Sequence, residues 1–238
     1  MNLLAIDTAT EACSAALSID GKIIERSEFA PRRHAELILP MIASLLAEAG
    51  LSRRDLQGIA VGRGPGAFTG VRLAISVAQG LALGLDLPVV PVSSLAALAL
   101  EAPDAAAQRD GAILAVIDAR MGEIYAGAFR RTADGLVEAV SDETVGSAEK
   151  WILPQNPQVQ LARWSVVGSG WAAYRDALAA RLSAPPAFAD GARYPQARAV
   201  LRLAAPRFAH GEGLAPEAAL PVYLRDKVAL TLEEQRAR

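Results

Sequence analysis

The sequence predicts an α/β protein made of two similar halves, each with a mixed sheet flanked by helices. Two observations support this prediction. Each half opens with an apolar segment that ends in aspartate, "NLLAID" at Asp7 and "AILAVID" at Asp118. A later apolar segment in each half ends in glycines, "IAVGRG" at 59–64 and "SVVGSG" at 165–170. A period of about half the chain is most simply explained by duplication.

The first half begins with three predicted strands. They are "NLLAID", "TATEACSAALSI" and "DGKII", and Asp20-Gly21 supplies the hairpin turn before the last of them. The second half repeats this order with "AILAVID", "ARMGEIYAGAF" and "GLVEA". Proline, charges and glycine in "EAPDAAAQRDG" mark the break between the halves. We therefore divide the chain into subdomains 1–107 and 108–238, and expect the C-terminal tail to cross back to the first.

Two helices are predicted in the first half. In "HAELILPMIASLLAEA", residues 34–49, apolar residues recur at helical spacing and Gly50 ends the helix, while Pro40 either kinks it or lies in its first turn. The second helix, 71–85, follows the glycine-rich segment. It carries small residues on several sides, which would let another helix approach closely: Ala74, Ser76, Ala78, Gly80 and Ala82.

The segment "GRGPGAFTG", residues 62–70, has the form of a phosphate-binding loop between a strand and a helix. A P-loop would need lysine and then serine or threonine after its last glycine, but Val71 and Arg72 follow Gly70. The glycine spacing does not match a dinucleotide fingerprint either. We therefore predict a structural loop whose glycines supply positive φ and close packing. Its assigned residues are Gly62, Gly64, Pro65, Gly66 and Gly70.

Asp7 and Asp118 allow two interpretations. Facing one another across a cleft, they could hold Mg²⁺ or position a water molecule. Alternatively, each caps the turn that follows its strand, and this second role is favoured because "DTATEACS" has no glycine for a phosphate cradle. The "GSG" at 168–170 either packs against a nucleotide base or starts a helix with Ser169 as its cap. Ser14 and His34 are a weak hydrolase pair because no G-x-S-x-G elbow is present.

Composition excludes several classes of protein. The chain has 238 residues, a net charge of −2 and one cysteine, so an intrachain disulfide is excluded and a cytoplasmic location is expected. No uninterrupted apolar stretch is long enough for a membrane span, and none is expected. The two histidines, His34 and His210, lie far apart, and we expect no metal site. The acidic balance disfavours a stand-alone nucleic-acid binder.

Five segments together resemble the TsaB family, also called YeaZ. They are "LLAIDTATEACSAAL", "GRGPGAFTGVRLAISVAQGLALGLDLPVVPVSSL", "AVIDARMGEIY", "VVGSGW" and "PVYLR", in order from residue 3 to about residue 226. The resemblance implies two RNase H-like subdomains, as in the actin, Hsp70 and sugar-kinase superfamily. It also implies a subunit that binds TsaD, which transfers threonylcarbamoyl to the adenosine after the anticodon in tRNAs reading codons that begin with A.

The resemblance further implies partners and sites. TsaE binds the complex, TsaC supplies the activated threonylcarbamoyl group, tRNA binds through the complex, and the isolated chain forms a homodimer. ATP or ADP and a metal are expected only on the partners or at the complex interface. The expected interface with TsaD or in the homodimer comprises Leu37, Ile38, Met41, Ile42, Leu45, Arg72, Ile75 and Gln79. Candidate vestigial or interface nucleotide contacts are Asp7, Thr8, Thr10, Asp118, Arg120, Gly122, Gly168, Ser169 and Gly170.

The resemblance also bears on catalysis. TsaD-like proteins bind a metal through two histidines four residues apart, and Ser94 and Leu98 occupy those positions here. Leucine cannot be a metal ligand, so we expect a non-catalytic subunit. The alternatives are an ATPase or kinase with an actin-like fold, and a peptidase, as an older glycoprotease label for the family would have it. A direct tRNA contact through Arg32, Arg33, Arg53 and Arg54 is disfavoured against a solvated surface.

Overall fold

The computed structural model describes residues 1–103, 111–154 and 163–225, so the predicted boundary between residues 107 and 108 lies outside the described residues. The first half forms a five-stranded mixed sheet, sheet A, with strand order β3-β2-β1-β4-β5. Strands β1, β2 and β3 pair antiparallel, and β4 and β5 continue parallel to β1. The strands are β1 (Leu3–Asp7), β2 (Ala12–Ile19), β3 (Lys22–Phe29), β4 (Gly58–Gly62) and β5 (Val89–Val92).

The second half repeats this topology in sheet B, with strand order β11-β10-β6-β7-β8 and β9 added beside β7. The antiparallel trio β6, β7 and β8 corresponds to β1, β2 and β3, and the parallel pair β10 and β11 corresponds to β4 and β5. The predicted duplication is confirmed. The strands are β6 (Gly111–Arg120), β7 (Glu123–Arg131), β8 (Val137–Ala139), β9 (Thr144–Ser147), β10 (Arg163–Val167) and β11 (Phe188–Asp190).

In the described residues, five α-helices cover the sheets in layers. Helices α1 (His34–Ala49) and α2 (Phe68–Leu85) pack on one face of sheet A through Leu4, Ile6 and their neighbours. Helices α3 (Ser94–Leu100) and α5 (Ala197–Ala209) lie in the central core between the two sheets. Helix α4 (Ser169–Ala179) covers the outer face of sheet B. Because side chains alternate along a strand, each central strand contributes residues to the apolar layers on both faces of its sheet.

Helix α5 joins the halves. Although it belongs to the second half in sequence, it packs against the strands of sheet A, and the N–H of Ala197 at its start donates to Ser14 Oγ at 2.9 Å. Helix α3 belongs to the first half in sequence but packs against β6, β7 and β8 of sheet B. The central core therefore contains residues of both halves.

After α5 the chain returns along α2 as a strap, residues 214–225. Leu214 and Val89 exchange two backbone hydrogen bonds, Gln79 Nε2 donates to the carbonyl of Ala219 at 3.2 Å, and the N–H of Val222 donates to the carbonyl of Arg63. The strap thus passes from the C-terminal to the N-terminal end of α2.

The predicted bounds of the two early helices differ little from those observed. Helix α1 covers the predicted residues, 34–49, and ends at Gly50 with φ 66°, and Pro40 lies inside it rather than in its first turn. Helix α2 begins at Phe68, three residues before the prediction, because the loop glycine Gly70 already adopts helical geometry. Among the described residues, α2 is the one helix long and apolar enough to cross a membrane, and its buried residues pack on sheet A.

Candidate functional site

A cleft lies where the β1–β2 and β6–β7 turns approach each other. It encloses a cavity of about 640 Å³, which is within the range of small-molecule sites. Five structures form its walls: the β1–β2 turn, the β6–β7 turn, the first turn of α2, the segment before α1, and the end of the strap.

Asp7 lies beneath this cleft and is fully buried. Its Oδ1 accepts the N–H of Ala9 at 2.9 Å, and its Oδ2 accepts the hydroxyl of Ser94 at 3.2 Å. Burial raises the pKa of this carboxyl to about 7, although both hydrogen bonds lower it. The carboxylate caps its turn and is enclosed by its own chain.

Asp118, the counterpart in the second half, also caps its turn, since its Oδ1 accepts the N–H of Arg120 at 2.8 Å. Arg120 donates to Asp118 Oδ2 and to Glu11 Oε1, both at 2.8 Å, and so bridges the two hairpin turns. Arg120, Met121 and Gly122 are three successive residues with positive φ, which folds the turn over the cleft. The guanidinium of Arg120 is therefore already neutralised by two carboxylates.

The "GSG" segment joins β10 to α4 by close packing. A Cβ on Gly168, whose φ is +112°, would lie 2.2 Å from the carbonyl oxygen of Val116, and one on Gly170 would lie 3.0 Å from Val116 Cβ. Ser169 is not the cap predicted for this helix: Gly168 precedes the helix, and Ser169 Oγ accepts the N–H of Asp118 at 3.1 Å. Its hydroxyl ties α4 to β6.

The "GRGPGAFTG" loop presses the start of α2 against the β1–β2 turn. A Cβ on Gly66 would lie 2.3 Å from the carbonyl oxygen of Ala9, and one on Gly70 would lie 2.0 Å from that of Thr8. Thr8 Oγ1 donates to the carbonyl of Gly70 at 2.6 Å. Both glycines are needed for this close approach.

The hydrolase pair does not form. Ser14 Oγ accepts the N–H of Ala197 and lies 3.5 Å from the carbonyl of Asp7, whereas His34 Nε2 lies 2.8 Å from the carbonyl of Thr10. Ser94 and Leu98, which stand where TsaD-like proteins have their metal-binding histidines, are both buried. Ser94 donates a hydrogen bond to Asp7, and Leu98 packs in the core. Within 1–103, 111–154 and 163–225, no group of three or more histidine, cysteine, aspartate or glutamate residues could hold a metal ion.

The predicted interface residues require a correction. Four of them are at most 4% exposed and belong to the core beneath the helices: Ile38, Ile42, Leu45 and Ile75. Leu37 and Met41 are half-buried beside β3. The apolar stripe that identifies a helix in the sequence is the stripe that packs on the sheet, so the four buried side chains are not available to a partner, whereas Leu37 and Met41 keep part of their surface exposed.

The outer faces of α1 and α2 carry a different set of residues. Leu39 on α1 is 53% exposed and Leu83 on α2 is 74% exposed. Gly80 and Gly84 lie beside Leu83, and a Cβ on either would meet nothing within 4 Å. Leu39 and Leu83 were not among the predicted interface residues, although their positions opposite the buried stripe could have revealed them.

At the start of α2, Arg72 lies between two exposed rings. Its guanidinium carbon is 3.8 Å from the centroid of Phe68 and 5.6 Å from that of Tyr223, and its Nε donates to the Tyr223 hydroxyl at 2.6 Å. Gln79 is likewise bound by the strap. Arg72 and Gln79 were predicted as interface residues, but their contacts with the strap were not predicted.

The comparisons with known proteins agree with this architecture. The TsaD family, described as tRNA N6-adenosine threonylcarbamoyltransferase, matches residues 25–231. The duplicated sheets, the shared central helices and this match define a TsaD-like protein.

Individual relatives show which TsaD-like family the chain belongs to. The tRNA threonylcarbamoyladenosine biosynthesis protein TsaB of Escherichia coli (strain K12) is 43% identical over 232 residues, covering 96% of each chain. The protein of that name from Haemophilus influenzae is 37% identical over 96% of this chain and 95% of the relative. The structure of YeaZ from Pseudomonas aeruginosa is 42% identical, with a TM-score of 0.82, and covers 94% of this chain and 99% of that one.

The chain belongs to the TsaB (YeaZ) family of tRNA threonylcarbamoyladenosine biosynthesis proteins. A further solved structure from Pseudomonas aeruginosa, 43% identical with a TM-score of 0.82, is described as an uncharacterized protein with similarity to peptidase YEAZ. In the described residues Ser14 and His34 are each bound to backbone groups, so they do not form the arrangement that a serine peptidase needs.

Proposed function

We propose that this chain is a non-catalytic subunit that binds a TsaD-type transferase and supports its transfer of threonylcarbamoyl to tRNA. The modified base is the adenosine after the anticodon in tRNAs reading codons that begin with A. TsaE joins the same complex, TsaC supplies the activated group, and tRNA binds through the complex. ATP or ADP and the metal belong to the partners or to the interface with them.

One observation carries this proposal: the outer faces of α1 and α2 expose Leu39 and Leu83, and on α2 the open positions Gly80 and Gly84 lie beside Leu83. Exposed leucines next to glycines form a surface on which another helix can pack closely, and an apolar face of this kind favours protein association. The same face would mediate homodimer formation when the partner is absent. Interface residues are therefore reassigned from the buried stripe to the outer one.

The buried carboxylate of Asp7 supports a non-catalytic role. A kinase or ATPase would need a carboxylate that reaches its substrate or metal. Here Asp7 is fully buried and both oxygens accept hydrogen bonds from the chain itself. Turnover of ATP by the purified chain, lost in Asp7→Ala, would instead support the enzyme alternative.

Leu83→Glu tests the interface. We expect affinity for the TsaD-type partner to fall at least about tenfold, because a carboxylate would be buried against an apolar surface. The stability of the isolated chain should change by less than about 0.5 kcal/mol, since Leu83 is exposed. Calorimetric titration gives the affinity, and sedimentation should show less homodimer.

Ile152→Glu is the matched control, because Ile152 is 73% exposed and lies in the second half, away from α2. It should leave both affinity and self-association unchanged. Equal partner affinity for Leu83→Glu and the unmodified chain would remove α2 from the interface. Threonylcarbamoyladenosine formation by TsaC, TsaD and TsaE, with and without this chain, tests the wider function, and full activity without it would contradict the proposal.

A further inference from the structure

We infer that the strap, residues 214–225, forms part of the surface that receives the TsaD-type partner, with Leu220 and Tyr223 extending the exposed face of α2. The inference rests on the proposed function, because it adds a second element of the chain to the interface proposed on α1 and α2. It predicts that the partner contacts the C-terminal part of the chain as well as the two early helices.

The strap is fixed to the first half along its length. Ala219 is fully buried in the core beneath α2, and its carbonyl accepts a hydrogen bond from Gln79 Nε2. Backbone hydrogen bonds near both ends join the strap to β5 and to the loop before α2. The rings of Pro216 and Pro221 further restrict its backbone. The exposed side chains of the strap are therefore held in place before a partner binds, which lowers the entropy cost of binding.

Leu220 continues the apolar face of α2 onto the strap. It is 62% exposed and comes directly after Ala219, whose carbonyl is bound by Gln79. Gln79 lies about one helical turn before Leu83, so the exposed leucine of the strap and the exposed leucine of α2 are close along the helix. A partner that covers Leu83 would reach Leu220 without leaving this face.

At the start of α2 the strap adds an aromatic ring to the same surface. Phe68 and Tyr223 are both exposed, with 5.6 Å between their ring centroids. The Arg72 guanidinium lies over the Phe68 ring, and Arg72 Nε donates to the Tyr223 hydroxyl. Tyrosine and arginine are enriched among the residues that dominate binding free energy in protein interfaces. These three side chains already pack against one another, so they form a rigid anchor for a partner.

The surface shared by α2 and the strap carries few charges. Residues 68–85 and 214–223 include only two charged side chains, Arg72 and Glu217, although 21% of the whole chain is charged. The centres of protein interfaces are depleted in charged residues, whereas a nucleic acid requires a basic surface. The low charge therefore favours a protein occupant over tRNA, and the continuity with Leu83 favours the TsaD-type partner.

Thiol labelling tests which side chains the partner covers. Cys13 is the only cysteine in the sequence and is fully buried, and burial raises the pKa of its thiol to about 11, so it should not react with a maleimide. Leu220→Cys, Leu83→Cys and Ile152→Cys therefore each carry one reactive thiol. A saturating concentration of the TsaD-type partner should slow labelling of Leu220→Cys and Leu83→Cys at least about tenfold, because a covered thiol is not attacked. Labelling of Ile152→Cys should be unchanged.

The labelling pattern separates the inference from the proposed function. Protection of Leu83→Cys without protection of Leu220→Cys would overturn the inference and leave the proposed interface intact. Protection of neither, in a complex that still forms, would contradict both. Protection of Leu220→Cys in the homodimer but not in the complex would assign the strap to contacts between copies of this chain, which also overturns the inference.

Leu220→Glu gives a second readout. Because Leu220 is exposed, the melting temperature should stay within about 2 °C of the unmodified chain. Affinity for the partner, measured by calorimetric titration, should fall about tenfold, since a carboxylate would be buried in the interface. Ile152→Glu introduces the same charge on an exposed position of the second half and should leave the affinity unchanged. Equal affinity for Leu220→Glu and the unmodified chain would contradict the inference.

Discussion

Gly70→Ala is expected to destabilise the chain by about 3 kcal/mol or more. The new Cβ would lie 2.0 Å from the backbone carbonyl oxygen of Thr8, and a backbone atom cannot move aside as a flexible side chain can. The start of α2 would have to shift away from β1, breaking the hydrogen bond from Thr8 Oγ1 to the Gly70 carbonyl. A domain of this size should then melt roughly 6–12 °C lower.

Gly80→Ala is the matched control within the same helix. A Cβ at Gly80 meets nothing within 4 Å, and alanine in a helix interior is more stable than glycine by about 0.5–1 kcal/mol. This variant should therefore melt slightly higher than the unmodified chain. If Gly70→Ala and Gly80→Ala have the same melting temperature by calorimetry, the close contact between β1 and α2 does not constrain the fold.

Asp7→Asn is expected to stabilise the chain at pH 8 and to remove part of the pH dependence of its stability. The pKa of Asp7 rises from 3.8 to about 7 on folding, chiefly because burial disfavours the charged form. The folded state thus holds this proton more tightly than the unfolded state. The stabilising contribution is complete below about pH 4 and is lost as the pH rises to about 7.

The size of the expected stabilisation by Asp7→Asn follows from the pKa shift of Asp7. About three pKa units correspond to roughly 4 kcal/mol, which is an upper value for the gain at pH 8. Asparagine keeps the acceptor for the Ala9 N–H, and its amide can donate to Ser94 Oγ, so the turn keeps its hydrogen bonds. Urea unfolding of both proteins between pH 4 and pH 8 measures the difference.

The difference in stability between Asp7→Asn and the unmodified chain should widen from pH 4 to pH 7 and stay constant above. Ser94→Ala is a useful companion, because losing one of the hydrogen bonds that lower the pKa of Asp7 should raise that pKa further. A parallel pH profile for Asp7→Asn and the unmodified chain would mean that Asp7 is ionised at little cost in the folded protein.

The helix faces show where prediction from sequence succeeds and fails. Apolar spacing located α1 to the residue, since the stripe containing Ile38, Ile42 and Leu45 must be buried against something. Whether that surface is the chain's own sheet or a partner cannot be read from the spacing. The structure places Ile38, Ile42 and Leu45 on sheet A and leaves Leu39 outside, so these three residues of the predicted interface are internal to the chain.

The cleft also has features that the local sequence predicts and features that only the tertiary structure decides. The positions of Asp7 and Asp118 at the ends of equivalent strands, and their role as turn caps, follow from local sequence. The residues that surround Asp7 and Asp118 in the folded chain cannot be predicted from local sequence. Glu11 and Arg120 meet across 109 residues, and Tyr223 reaches Arg72 across 151. Such long-range contacts depend on how the two sheets and the strap are placed.

The sequence by itself determined the duplication, the order of strands and helices, and the family, because these are written in local periodicity, turn residues and motif order. Only the tertiary structure decided which face of each helix is free, how far Asp7 is buried, and which residues of the two halves meet at the cleft. The physical reason is that burial and ion pairing depend on residues distant in the chain, and a local pattern of apolar and charged residues is compatible with several such partners.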